Sequence, residues 1–157
     1  MLVTVSYEVH IEQAGERQLA GVRAVTEPAK LGACIISLLD QVWPLLREQG
    51  TRTGHNVVIY QAGAARTLTV DAGVEVFTEF EESGMVRHIA TPAGEAAVTA
   101  HYGDYSALAA AYTAVEQWCA GHGRDPAGVN WEVYGDWDDD PGKRRTDVYI
   151  LLKPATG

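Results

Sequence analysis

Apolar and polar residues alternate from the start of the chain. Val3, Val5, Tyr7, Val9 and Ile11 are separated by Thr4, Ser6, Glu8 and His10, a pattern that predicts a half-buried strand. Gln18 to Val25 reads as a second strand. The period then changes: Leu31, Ile35, Leu38, Val42, Leu45 and Gln49 follow helical spacing. Pro28 suits a first turn that needs no N–H, and Gly50 stands just past the end. Pro44 falls inside this pattern, so a kink or a division of the helix is expected there. Val57 to Tyr60 is a short strand, and Gln61 to Arg66 is loose.

The same order recurs in the second half. Leu68 to Phe80 is strand-like but interrupted at Ala72-Gly73, Glu81 to Gly84 is a turn, and Met85 to Ala90 returns. Glu95 to Tyr102 is the next strand. Asp104 stands where an N-cap is needed, ahead of a helical face traced by Leu108, Ala111, Tyr112, Val115, Trp118 and Cys119. That helix stops around Gly121 to Gly123. Val129 to Tyr134 and Asp147 to Leu152 follow, joined by an acidic turn from Gly135 to Gly142. Strand, helix, glycine and a strand closing on tyrosine thus occur as Gln18 to Tyr60 and again as Glu95 to Tyr134. A repeat of this size predicts an α+β fold of two pseudo-symmetric modules, each burying a sheet face under its own helix. A ligand groove is expected between them. The chain reads as a single domain, 1–157, with module one at about 1–66 and module two at about 67–157.

Composition narrows the function. The 157 residues suffice for one domain, and the hydrophobic and charged fractions are those of a folded globular chain. The net charge of -9, from 12 basic and 21 acidic residues, argues against nucleic-acid binding, which needs a basic patch to displace counterions. Acidic residues concentrate at Asp71 to Glu82 and at Asp136 to Asp140, a field that attracts cations. No apolar run approaches the roughly 20 residues that span a bilayer, and Met1 to Thr4 lacks the basic leader of a signal peptide. A cytoplasmic location is therefore expected, with Cys34 and Cys119 as two buried reduced thiols.

Most familiar chemistries find no footing. Asp136, Asp138, Asp140 and Asp147 imitate a calcium loop, but Pro141 replaces the needed glycine and Asp147 is shorter than the usual bidentate Glu. His10, His55, His88, His101 and His122 lack zinc-site spacing. No serine sits in a nucleophile elbow, and no glycine-rich loop cradles phosphate. Neither a metal nor a cofactor is expected.

The aromatic residues are more informative. Two Phe stand against seven Tyr and four Trp, a bias toward rings that need polar partners, as on a wet binding surface. Within Trp131-Glu132-Val133-Tyr134, strand alternation puts Glu132 and Tyr134 on one face and Trp131 and Val133 on the other. A carboxylate among aromatics in a half-buried sheet is costly unless a cation or a hydrogen-bond donor meets it. An organic cation would meet it well. On spacing alone, an exposed Glu on a solvated face remains the competing reading.

The segment His101-Tyr102-Gly103-Asp104-Tyr105, the helix after it, Trp131-Glu132-Val133-Tyr134 and Thr146-Asp147-Val148-Tyr149-Ile150 resemble the gyrase-inhibitor-like (GyrI-like) small-molecule-binding domain. That family is similar to the effector-binding domains of multidrug-sensing transcription regulators, and the resemblance runs from about Val3 to Pro154. It implies a curved antiparallel sheet with two main helices packed on it and a ligand groove between the modules. The Glu of its Glu-x-Tyr motif, here Glu132, is implied to engage planar lipophilic, often cationic compounds. Tyr134, Tyr149, Tyr60, Tyr112, Trp43 and Trp137 are the further candidate ligand contacts. No helix-turn-helix precedes the first strand, so the chain is expected to bind ligands without binding DNA. Some stand-alone relatives hydrolyse reactive cyclopropane-bearing natural products. In that alternative Glu132 activates water, with Tyr149 or Tyr134 as hydroxyl donor. A third role, inhibiting gyrase through a DNA-like acidic surface, is weakly supported by a charge of -9.

Overall fold

A computed structural model describes residues 6–155. Among these residues, eight strands form one antiparallel sheet: β1 His10–Ala14, β2 Gln18–Thr26, β3 Thr53–Ala62, β4 Leu68–Val76, β5 Arg87–Ala90, β6 Gly94–Tyr102, β7 Pro126–Tyr134 and β8 Arg145–Leu152. Two helices, α1 Leu31–Gln49 and α2 Leu108–Gly121, connect β2 to β3 and β6 to β7. The order across the curved, open sheet is β1-β6-β8-β7-β3-β4-β2-β5. The expected α+β architecture is thus present.

The repeat is visible in the strand order. β2-α1-β3-β4 and β6-α2-β7-β8 have the same connectivity, and their sheets meet edge to edge at β3 and β7. The division at 66/67 falls between β3 and β4, which pair along their length, so strand pairing groups β4 with the first repeat. Each helix packs mainly on its own repeat, α1 on β2 and β4 and α2 on β6 and β8. The seam between β3 and β7 is therefore left uncovered between the helices.

Both sheet faces are buried in part. On the helical side, Leu38, Val42 and Leu46 of α1 pack against Ala20, Val22, Val58, Val70 and Val74. Val115 and Cys119 of α2 pack against Ala97, Ile150 and Leu152. On the other side Trp131 is fully buried with Leu19, Val57, Ile59, Val98 and Tyr149.

Several local expectations are corrected. Val3 and Val5 lie outside the described residues, among which the first strand begins at His10. Tyr7 and Val9 instead run beside β6 through side chains: the Tyr7 hydroxyl lies 2.9 Å from His101 Nδ1, and Thr99 Oγ1 donates to the Glu8 carbonyl at 2.7 Å. The α1 helix is not divided at Pro44. Pro44 and Asp40, whose carbonyl the proline leaves unpaired, are both exposed, so no buried acceptor is left unsatisfied there. Nor is β4 interrupted at Ala72-Gly73. Gly73 pairs with Gly21 of β2, and a Cβ on Gly73 would collide with the Ala20 carbonyl, so the glycines allow two strands to approach closely. Asp104 occupies a cap position ahead of a short 3-10 turn, but its side chain makes no capping bond and faces Arg144 at 3.6 Å. Cys119 is buried as expected, whereas Cys34 is half-buried.

Candidate ligand-binding cleft

The uncovered seam is the floor of a cleft of about 780 Å³. Asn56 and Tyr60 of β3 and Asn130, Glu132 and Tyr134 of β7 form the floor. The walls are apolar: Leu31, Ile35, Ile36 and Leu39 come from α1, and Leu108, Ala109 and Tyr112 from α2. Tyr105 and Trp137 stand at the rim. The segment Pro28–Gln49 is long and apolar enough to cross a membrane, contrary to the expectation from the sequence. In the fold its apolar residues serve two surfaces, the sheet and the cleft wall.

Glu132 is buried, with 4% exposure. Its Oε1 accepts from the Tyr60 hydroxyl at 2.9 Å and from the Tyr134 hydroxyl, and its Oε2 accepts from Tyr112 at 2.5 Å. An ionised carboxylate accepts without donating, so one oxygen pair can serve all three phenols. The magnitudes are comparable. Desolvating the ion costs several kcal/mol, and hydrogen bonds to a charged group return about 1.5–3 kcal/mol each. No cationic side chain pairs with Glu132 among the described residues. The charge is held but not neutralised.

The same arrangement acts on the tyrosines. Burial first, and then the Glu132 charge, push the hydroxyls of Tyr60, Tyr112 and Tyr134 well above their ordinary value. All three stay protonated donors at neutral pH. Tyr105 meets Tyr134 edge-on, with centroids 5.5 Å apart, and extends the aromatic wall toward the rim.

Of the candidate contacts, Glu132, Tyr134, Tyr60, Tyr112 and Trp137 line the cleft. Trp137 is 65% exposed, and the Arg144 guanidinium sits 3.5 Å from its ring centroid. Two expectations are corrected. Tyr149 lies opposite Trp131 in the strand ladder and stacks on it at 5.1 Å, on the face away from Glu132. Trp43 does not line the cleft; its indole donates to Asn56 Oδ1 at 3.0 Å, and its ring packs into the core. Asn56, Asn130 and the α1 wall were not anticipated. A signal for the amides is present, because Asn56-x-Val58-x-Tyr60 and Asn130-x-Glu132-x-Tyr134 are the same strand pattern in the two repeats.

Among the described residues no cluster of three or more His, Cys, Asp or Glu could hold a metal. The aspartates after β7 serve their own loop: Asp138 Oδ1 accepts from the Asp140 N–H and Asp140 Oδ1 from Gly142. A concavity of about 530 Å³ on the helix-free face has its charges already engaged. There Arg23 grips Asp71 at 2.8 and 3.0 Å, and Arg87 donates to the carbonyls of Gly84 and Val86.

A family model for the GyrI-like small molecule binding domain matches residues 7–153. The chain belongs to this family. It is also similar to several solved structures. The EcmrR C-terminal domain superposes with a TM-score of 0.80 at 16% identity, over 96% of this chain and 100% of that one. In the EcmrR–DNA complex the match spans 58% of the EcmrR chain. SAV2435 bound to tetraphenylphosphonium gives a TM-score of 0.63 at 14% identity, over 93% and 94% of the two chains. A hydrolase from Listeria innocua gives 0.61 at 11% identity, over 93% and 92%. Identities this low establish a common fold. No curated protein matches the chain.

Proposed function

We propose that this GyrI-like domain takes planar, lipophilic cations into the cleft, with Glu132 as the anionic contact. The observation that carries the reading is a buried carboxylate on the floor of an apolar-walled cleft, whose partners are three neutral hydroxyls and no cation among the described residues. A ligand cation completes that charge. The surrounding rings contribute about 0.5–2 kcal/mol per cation–π contact, and the aliphatic α1 wall supplies area for a flat apolar body. SAV2435, which has the same fold, was solved with tetraphenylphosphonium, a lipophilic aromatic cation.

The alternative is hydrolysis of a reactive cyclopropane-bearing compound by water activated on Glu132. That chemistry needs a hydroxyl donor facing the carboxylate across the reacting bond. Tyr149 is on the other face of the sheet, and Tyr134 donates to Glu132 itself, which favours binding over turnover.

The test is a tryptophan-fluorescence titration with a planar cation and a neutral compound of the same shape, on wild type and Glu132→Gln. The glutamine keeps an acceptor for the tyrosines and removes the charge. The cation should lose affinity by about ten- to a hundred-fold, the neutral compound should bind unchanged, and both should be recovered intact. Equal losses for the two would sink the role of Glu132, and a hydrated product would establish the hydrolase.

A further inference from the structure

The pseudo-symmetric seam carries two asparagines, but only one is oriented. Tyr60 lies opposite Asn130 and Val58 opposite Glu132, so Asn56 and Tyr134 follow at the next positions along the seam. Asn56 lines the cleft and accepts at Oδ1 from Trp43 Nε1 at 3.0 Å. An indole N–H can only donate. The amide oxygen must therefore face Trp43, and the NH2 group must face away from it. That NH2 makes no hydrogen bond among the described residues and is not one of the buried unpartnered atoms, which are Thr51 Oγ1, Arg124 Nε and Thr146 Oγ1. Its donors are open to the cleft. Asn130 makes no side-chain hydrogen bond among the described residues and has no such lock.

We infer that Asn56 is a specificity-determining residue that reads a hydrogen-bond acceptor on the ligand, and that Trp43 is its positioning residue. The inference rests on the cation reading of the cleft and adds to it. The ligand class becomes a planar cation that also carries a carbonyl or ether oxygen. A purely hydrocarbon cation leaves the Asn56 donors without a partner, and an N–H group placed there meets donors only.

A matched pair tests this: fluorenone and fluorene, each carrying a trimethylammoniomethyl group, with uncharged fluorenone and fluorene as controls. The ketone cation should bind wild type about three- to ten-fold more tightly than the fluorene cation, the value of one net hydrogen bond. In Asn56→Leu that ratio should fall to near one. Trp43→Phe, which frees the amide to rotate, should also lower the ratio. A ratio unchanged in Asn56→Leu overturns the inference. Failure of the parent reading looks different: Glu132→Gln would leave both cations unaffected, and the neutral pair would still read Asn56 through the same ratio. Should Asn56→Leu fail to fold, the Asn56 side-chain amide signals of wild type decide by NMR. A shift with ketone and not with fluorene supports the donor role, and equal shifts overturn it.

Discussion

Around Glu132 the buried tyrosines are held protonated, and this has a consequence at high pH. Burial raises the hydroxyls of Tyr7, Tyr60, Tyr112, Tyr134 and Tyr149, and the Glu132 charge adds to the effect at Tyr60, Tyr112 and Tyr134. In the unfolded chain these phenols ionise at their ordinary value of about 10. A folded pKa above the unfolded one leaves stability intact below pH 10 and erodes it as pH rises beyond. Tyrosinate absorbance should thus show Tyr60, Tyr112 and Tyr134 lagging and then ionising together with loss of far-UV circular dichroism. All seven ionising along one simple curve near pH 10, with the fold intact, would contradict the buried network. The partition of Glu132 and Tyr134 from Trp131 was legible from alternation alone. The face of Tyr149 was not, because it depends on the register of β8 against β7, and no local pattern carries that register.

At the scale of elements, the helices and most strands were legible because their apolar periods are long and clean. The misreadings arose where a residue's usual local meaning is overridden by its neighbours. Ala72-Gly73 looks like a break in a strand, yet at Gly73 the backbones of β4 and β2 approach too closely for a side chain. Gly73→Ala should therefore destabilise the fold by about 1–3 kcal/mol, as overpacking does. Urea unfolding would report a lower midpoint with an unchanged slope. A neutral effect would mean that the strands separate easily there. Pro44 is the complementary case: on the solvent side of α1 it ends nothing. The apolar content of α1 exceeded what one buried face requires, and that excess was the available sign of a second surface, the cleft wall.

The whole molecule adds the long-range field. A net charge of -9 attracts a cation from a distance, whereas the Glu132 contact acts only once the ligand is desolvated in the cleft. Salt separates the two. The Debye length shrinks from about 30 Å at 0.01 M to about 3 Å at 1 M, so steering by exposed carboxylates fades while a buried pair is screened far less. Stopped-flow binding of a planar monocation should show an association rate that falls several-fold across that range, with dissociation nearly constant. The neutral compound of the same shape should show no salt dependence in association. Glu132→Gln should speed dissociation at every salt concentration and leave the salt slope of association in place, since it removes only one of 21 acidic residues. If salt instead accelerated dissociation, the cation would be resting on an exposed carboxylate, for instance in the acidic loop beside Trp137. The buried Glu132 would then not be its anchor.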